Sequence, residues 1–359
     1  MCVAVALRGG GPVMAAMQFL QIMKRLGQTS GEAEALSEEE AYQLYAAMLD
    51  GGLPDLELGA AITTLTLRVE SPMALMGLHR AVRERLYGLP APDGRLHPLV
   101  IPAYGGARQE PNLLPLLGLL LRRLGVSVLF HGTLEGSGRA ASVYILREFD
   151  VLPSATLAQA QAALGEDSIA YVPIGALCPG LAALLALRNR LGMRNSAHLA
   201  ARLIDPFEGA GAVMTGASTP AEVDRLASFF LATGGRALLL ESTEGEPFAN
   251  PCRRPRIEFF AEGERRVLFE EEAGPVKPVA GLPSTVDTAA TAAWMRAALS
   301  GEVPIPHPLV NPLACCLFAI GYTEDMNQAK AIAAVEAGSL GPRGRRRTGG
   351  ARVARAPAP

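Results

Sequence analysis

Aromatic side chains are scarce, at 5% of 359 residues with a single Trp, so the core must be built from aliphatic residues. The five cysteines (Cys2, Cys178, Cys252, Cys315, Cys316) show no C-x-x-C spacing, and the adjacent Cys315 and Cys316 are poorly placed to bond each other. A disulfide scaffold and a cysteine-type zinc site are therefore excluded, and a reducing cytoplasm is the expected compartment. No apolar run reaches the roughly 18 residues a membrane span needs. Met1–Leu7 is apolar, but Arg8 and a glycine run end it too early for a secretory signal. Net positive charge is missing as well. The formal charge is −2, and six of the 33 basic residues are tail arginines (343, 345, 346, 347, 352, 355). The rest of the chain keeps 27 basic against 35 acidic residues, a charge of −8. Nucleic-acid-binding domains are usually basic overall, so a polyanion site here must be a local patch, the tail, or both.

What is present is ample apolar content, 49%, in a length that predicts about two domains. Residues 1–16 read as an unstructured leader, with Met14, Met17 and Met23 as alternative starts. Phe19–Leu26 is a short basic helix. Ser37 followed by three glutamates reads as an N-cap with acids suited to the positive helix end, and Gly51-Gly52 stops that helix. Helices are expected over 55–69 and 72–87. From Leu96 strands and helices alternate: strands at 98–102, 126–130, 169–172 and 237–240, and a hairpin of 258–260 with 266–269 across Glu262-Gly263. Helical texture returns at 179–191 and 196–203. These patterns predict a helical domain, 17–90 plus 176–204, that mediates dimerisation. They predict an α/β domain, 91–175 plus 205–340, with a mostly parallel sheet flanked by helices. An arginine-rich disordered tail, 341–359, would follow.

Gly105-Gly106 follows a strand and precedes a helix, where backbone N–H groups can hold a phosphate; a tight βα turn explains the pair equally well. His131-Gly132 closes the next strand, either at a ligand edge or as a structural histidine. Arginines gather elsewhere: Arg108 after the Gly-Gly loop, Arg139 after a glycine-rich turn, and Arg188, Arg190, Arg194 and Arg202 with His198 in a stretch, 181–203, that contains no acid. A helix beginning near Arg194 would align Arg194, His198 and Arg202. Arg253, Arg254 and Arg256 form a further knot. The planar guanidinium suits phosphate, and such contacts carry affinity without sequence information. For any single arginine a solvated face with a local acid partner is the bland alternative. Tyr104 could stack on a base but serves more simply as a loop anchor.

The order of these motifs resembles the anthranilate phosphoribosyltransferase family, within nucleoside-phosphorylase class II. It is closer still to the TrpD-like YbiB offshoot, through Pro54–Gly59, Leu113–Leu117, Met193–His198, Gly234–Leu239, Thr243–Glu246 and Ala249–Pro251. The resemblance implies that fold, a homodimer, and non-sequence-specific binding of DNA or RNA in place of the phosphoribosyltransferase reaction. The active enzymes carry Gly-Thr-Gly-Gly-Asp around pyrophosphate, and here the loop reads Ala103-Tyr104-Gly105-Gly106-Ala107. Their Lys-His-Gly-Asn-Arg becomes Phe130-His131-Gly132-Thr133-Leu134, their Asp-Glu magnesium pair becomes Gly245-Glu246, and the first residue of their aromatic-acid pocket becomes Cys178. Arg188 keeps the substrate-carboxylate position. Gly105, Gly106, His131, Gly132 and Glu246 thus mark a vestigial phosphate site. No catalytic residue, metal or cofactor is expected. Nucleic-acid binding is expected at Arg108, Arg139, Arg188, Arg190, Arg194, His198, Arg202, Arg253 and Arg254. The alternative is a phosphoribosyltransferase or related glycosyltransferase with altered substrate, in which Glu244 and Glu246 would face the Gly-Gly loop.

Overall fold

The protein is described here from a computed structural model over residues 16–28, 35–67, 71–136, 138–275, 278–279 and 281–338. The expected tail, and the expected leader except residue 16, lie outside these residues.

Helices come first: α1 (Ala16–Leu26), α2 (Glu38–Leu49), α3 (Asp55–Leu67) and α4 (Pro72–Arg83). Ser37 caps α2 as expected. Its hydroxyl accepts the Glu40 N–H while the Glu40 carboxylate returns to the Ser37 N–H, closing a capping box. α4 ends earlier than the expected Tyr87, because the Tyr87 N–H bonds the Leu177 carbonyl (2.8 Å) and draws the chain across to the later helices.

The sheet follows, with β1 (Leu99–Ala103), α5 (Leu114–Arg123), β2 (Val128–Gly132), α6 (Ser142–Arg147), α7 (Leu157–Asp167) and β3 (Ile169–Pro173). A helical excursion comes next: α8 (Ile174–Leu177), α9 (Pro179–Ala186), α10 (Arg188–Leu191) and α11 (Ser196–Ala200), ending in a tight turn at Ala201–Leu203. It returns to the first unit, with α9 packed on α2 and α11 on α4. The chain then adds β4 (Ala212–Ala217), α12 (Pro220–Thr233), β5 (Ala237–Glu241), β6 (Ile257–Ala261) and β7 (Glu264–Phe269). It closes on α13 (Thr288–Ser300), α14 (His307–Ala319) and α15 (Met326–Glu336).

The strand order is β3-β2-β1-β4-β5-β6-β7. β3 through β5 are parallel, and β6 and β7 are added antiparallel. The expected hairpin turns at Glu262-Gly263, both with positive φ (55° and 77°). Alternation along the strands sends Val100, Leu129, Val213 and Leu239 to one face, where they share a core with α2, α4, α9 and α12. Leu99, Ile101, Phe130 and Met214 face the other way, onto α5, α13 and α14. The described cysteines are all unpaired. No helix among the described residues is long and apolar enough to cross a membrane.

Candidate functional site

The loop 104–109 leaves β1 at the carboxyl edge of the sheet, beside the point where strand order reverses between β1 and β4. Open α/β sheets bind ligands there. Close approach is what demands the glycines. A Cβ on Gly105 would stand 2.9 Å from the Gly245 carbonyl group, and one on Gly106 2.9 Å from the Arg139 Cβ. Gly106 also has a φ of 63°.

The N–H groups of this loop already hold anions, and the anions are the chain's own. Gly106 N–H donates to Glu246 Oε1, and the N–H groups of Arg108 and Gln109 donate to the Glu244 carboxylate. A tight turn makes this possible: Thr243 and Glu246 exchange backbone bonds of 3.1 and 3.0 Å, with positive φ at Glu244 and Gly245. Glu246 is 1% exposed, and its Oε2 has no hydrogen-bond partner. Burial raises its carboxyl to about 7, against the opposing pull of the Gly106 N–H and of Arg194. The two carboxylates therefore do face the Gly-Gly loop, but on the N–H groups that a diphosphate would need. With Glu244 and the Oε1 of Glu246 on backbone donors, Glu246 Oε2 is the one buried carboxylate oxygen of the pair left without a partner, and one such oxygen does not make a magnesium site. No group of three or more metal-ligating side chains exists among the described residues.

His131 is fully buried, its Nδ1 2.7 Å from the Tyr104 hydroxyl and its Nε2 without a partner. Burial pushes it down to about 3, so it is neutral. It is a structural histidine, and Tyr104 is its anchor. Gly132 is required by packing, since a Cβ there would lie 2.1 Å from the Ala103 carbonyl oxygen.

The arginines separate into two groups. Arg139, Arg188 and Arg194 converge beside this loop. Arg139 Nη1 donates to the Gly106 and Glu244 carbonyls (3.2 and 3.3 Å), and Arg194 lies over Gly245, where a Cβ would be 3.3 Å from its Nη1. No side chain of the three forms an ion pair among the described residues. Burial, then the neighbouring guanidiniums, lower Arg188 and Arg194 from the usual value. Arg108 stands exposed near them, its backbone on Glu244.

The second group is engaged locally. Arg202 is 8% exposed, bonded to the Gly216 carbonyl (2.7 Å) and paired with Glu222. His198 is tied through Nδ1 to Asn195 and pushed down to about 3, by burial first and then by Arg194. Helix α11 starts at Ser196, as the texture of 196–203 predicts, and is capped by Asn195; the alignment that needs a helix from near Arg194 fails, because Arg194 lies outside it and shares no helix face with His198 and Arg202. Arg190 approaches Asp55 at 3.9 Å. Arg253 pairs with Glu271 (2.8 Å), Arg254 bonds the Glu270 carbonyl (3.0 Å), and Arg256 pairs with Glu258 and Glu270. Glu258 follows Arg256 by two residues on β6, while Asp55, Glu222, Glu270 and Glu271 are distant in sequence from their arginines, so the local pattern did not reveal those four. Cys178 is buried and lines no cavity with Arg188.

Over 306 residues the chain is 40% identical to YbiB of Escherichia coli K12, covering 85% of this chain and 95% of that protein. The chain belongs to the YbiB family. Residues 20–86 match the helical bundle domain of the glycosyl transferase family. Anthranilate phosphoribosyltransferase of Thermus thermophilus is 25% identical over 84% of this chain and 90% of the enzyme. A crystal structure of the Thermus thermophilus enzyme superposes with a TM-score of 0.71 at 23% identity, covering 90% of this chain and 94% of the other. The Saccharomyces cerevisiae enzyme in complex with PRPP and Mg gives 0.68 at 11% identity, covering 91% and 95%. This YbiB-family chain thus has the anthranilate phosphoribosyltransferase fold, and the N–H groups of its Gly-Gly loop are taken by its own carboxylates.

Proposed function

We propose that this protein binds nucleic acid without sequence specificity, through phosphates held on Arg139, Arg188 and Arg194 with Arg108 beside them, and that it works in the cytoplasm as a homodimer. The observation that carries this reading is the convergence of three guanidiniums that form no ion pair among the described residues, Glu246 acting on Arg139 and Arg194 only at longer range. Like charges this close repel one another, so the cluster is most stable with an anion on it. A phosphate supplies that anion, and a strand supplies it repeatedly. The loss of the enzyme's other basic and acidic groups, together with the occupied loop, argues against phosphoribosyl transfer, whose charge development needs those groups.

The test is a titration of labelled DNA and RNA against salt. Log K falls with log salt at a slope near −0.7 to −0.9 per phosphate contacted. Arg194→Ala lowers the slope magnitude by about one and weakens all sequences alike. Binding that ignores salt, or that survives the triple Arg139, Arg188, Arg194→Ala change, refutes the reading. The second reading, a phosphoribosyltransferase with altered substrate, is favoured by one observation: Glu244 and Glu246 face the Gly-Gly loop. Magnesium-dependent release of pyrophosphate from phosphoribosyl pyrophosphate would establish it.

A further inference from the structure

A cavity of about 290 Å³ opens beside the arginine cluster. Ile174, Leu185 and Ala186 supply apolar wall from α8 and α9, and Leu134 supplies more from the segment after β2. Polar side chains stand among them: Arg188, His198, Tyr104, Thr133, and Asn189 donating to the Glu135 carboxylate (3.4 Å). Arg188 is half-buried and belongs at once to the cavity lining and to the unpaired cluster. His198 Nδ1 lies 3.3 Å from the Asn195 N and 3.2 Å from the Asn195 Oδ1, so Asn195 holds the ring at the cavity wall.

The volume sits at the small end of ligand cavities, room for one ring system rather than an extended molecule. Apolar walls suit the faces of a flat ring, and the donors and acceptors on the same wall suit a heterocycle's edge. Arg188 joins that space to an anion site. A ring on one side of Arg188 and a phosphate on the other together describe one nucleotide unit. The loop N–H groups cannot take the phosphate, because Glu244 and Glu246 already fill them.

We infer that the cavity receives one base of an unpaired strand, whose adjoining phosphate is held by Arg188 with Arg139 and Arg194. The inference rests on the nucleic-acid reading above and adds to it a site for the base. A base inside a duplex must first be unpaired and unstacked, so single strands bind tighter than duplexes of equal charge. Apolar contact of this kind is worth on the order of tenfold in affinity per base. It is sequence-tolerant, because every base offers a flat face.

The experiment compares a labelled oligothymidylate with an abasic oligomer of equal length and charge, using the full chain. The wild type should bind the abasic strand about tenfold more weakly at an unchanged salt slope. Ala186→Trp fills the cavity and removes no cation; it should bring oligothymidylate down to the abasic affinity and leave abasic binding as it was. Equal wild-type affinities for the two strands, or wild-type affinity of a folded Ala186→Trp protein for oligothymidylate, overturn the cavity assignment and leave phosphate binding standing. A second measurement needs no variant: calorimetric titration of the wild type with thymidine 5′-monophosphate and with deoxyribose 5-phosphate. Tighter binding of the nucleotide supports the cavity, and equal binding overturns it. If the nucleotide wins while no strand binds at any salt, the cavity stands for free nucleotides and the strand assignment falls.

Discussion

Arg194 and Arg202 look equivalent in the sequence and differ in the structure. Arg202 is enclosed with Glu222, so Arg202→Ala strands a largely buried carboxylate and should cost about 3 kcal/mol or more in chemical denaturation. Its salt slope on nucleic acid should stay that of the wild type, which separates it from Arg194→Ala. Glu246 offers a second residue-scale test. Its folded-state carboxyl, at about 7, lies above the ordinary 4.5, so the folded protein binds the proton more tightly. That contribution is complete below pH 4.5 and is lost as pH rises through 7, a change of about 3 kcal/mol. His79, His131 and His198 act oppositely. Burial lowers them to about 4, 3 and 3, so their stabilising effect is lost as pH falls below about 6.5. The curve of the intact protein mixes both trends, and the difference between wild type and Glu246→Gln isolates the first. Urea denaturation between pH 4.5 and 8 should show that difference falling with pH, and a flat difference would place the Glu246 carboxyl in water. Gly106 lies 140 positions from Glu246 and no local spacing rule connects them, so only the family resemblance brought the two together in the sequence.

Helix α2 was legible from Ser37 and its glutamates, because a capping box is a local device. The hairpin was legible for the same reason, its turn residues being adjacent. β4 was not: Ala212–Ala217 contains Gly216 and a threonine and offers no alternation, because it is buried on both faces in the middle of the sheet. Gly216 is there because a Cβ would meet the Ser242 side chain at 2.8 Å. The start of α11 at Ser196 was legible, while the extension back to Arg194 that would align the charges is blocked because Asn195 sets the cap. One element contact yields a sharp prediction. A Cβ on Gly77 of α4 would stand 2.3 Å from the Glu38 carbonyl oxygen and 2.7 Å from the Ala41 Cβ, so α2 and α4 meet backbone to backbone. Helix propensity alone favours Ala over Gly by up to about 1 kcal/mol. Overpacking should reverse that, and Gly77→Ala should lower stability by about 1–3 kcal/mol in thermal or chemical denaturation.

At the scale of the molecule, the fold class was readable from alternating texture, while assembly and the split between body and tail depend on surfaces. Met17 and Leu20 on α1, Leu56 and Leu67 on α3, and Met73 on α4 are all exposed. The proposed homodimer would cover these apolar side chains, so light scattering should give twice the chain mass at micromolar concentration, and a single chain mass would overturn it. A dimer matters for binding because two arginine clusters on one strand act with an effective concentration, and a monomer loses that gain. The tail is the rival source of affinity. It carries six arginines and no acid, whereas the rest of the chain has a charge of −8, so long-range attraction alone would favour the tail. The cluster of Arg139, Arg188 and Arg194 favours the body, because its charges are fixed in place and form no ion pair among the described residues. Truncation after Leu340 separates the two. If the body holds the strand, the truncated protein keeps most of its affinity and the salt slope set by its own contacts. Arg188→Ala with Arg194→Ala in that background should then lower the slope magnitude by about two. If truncation abolishes binding while the double change in the full chain leaves it intact, the tail arginines are the site and the folded cluster holds some other anion.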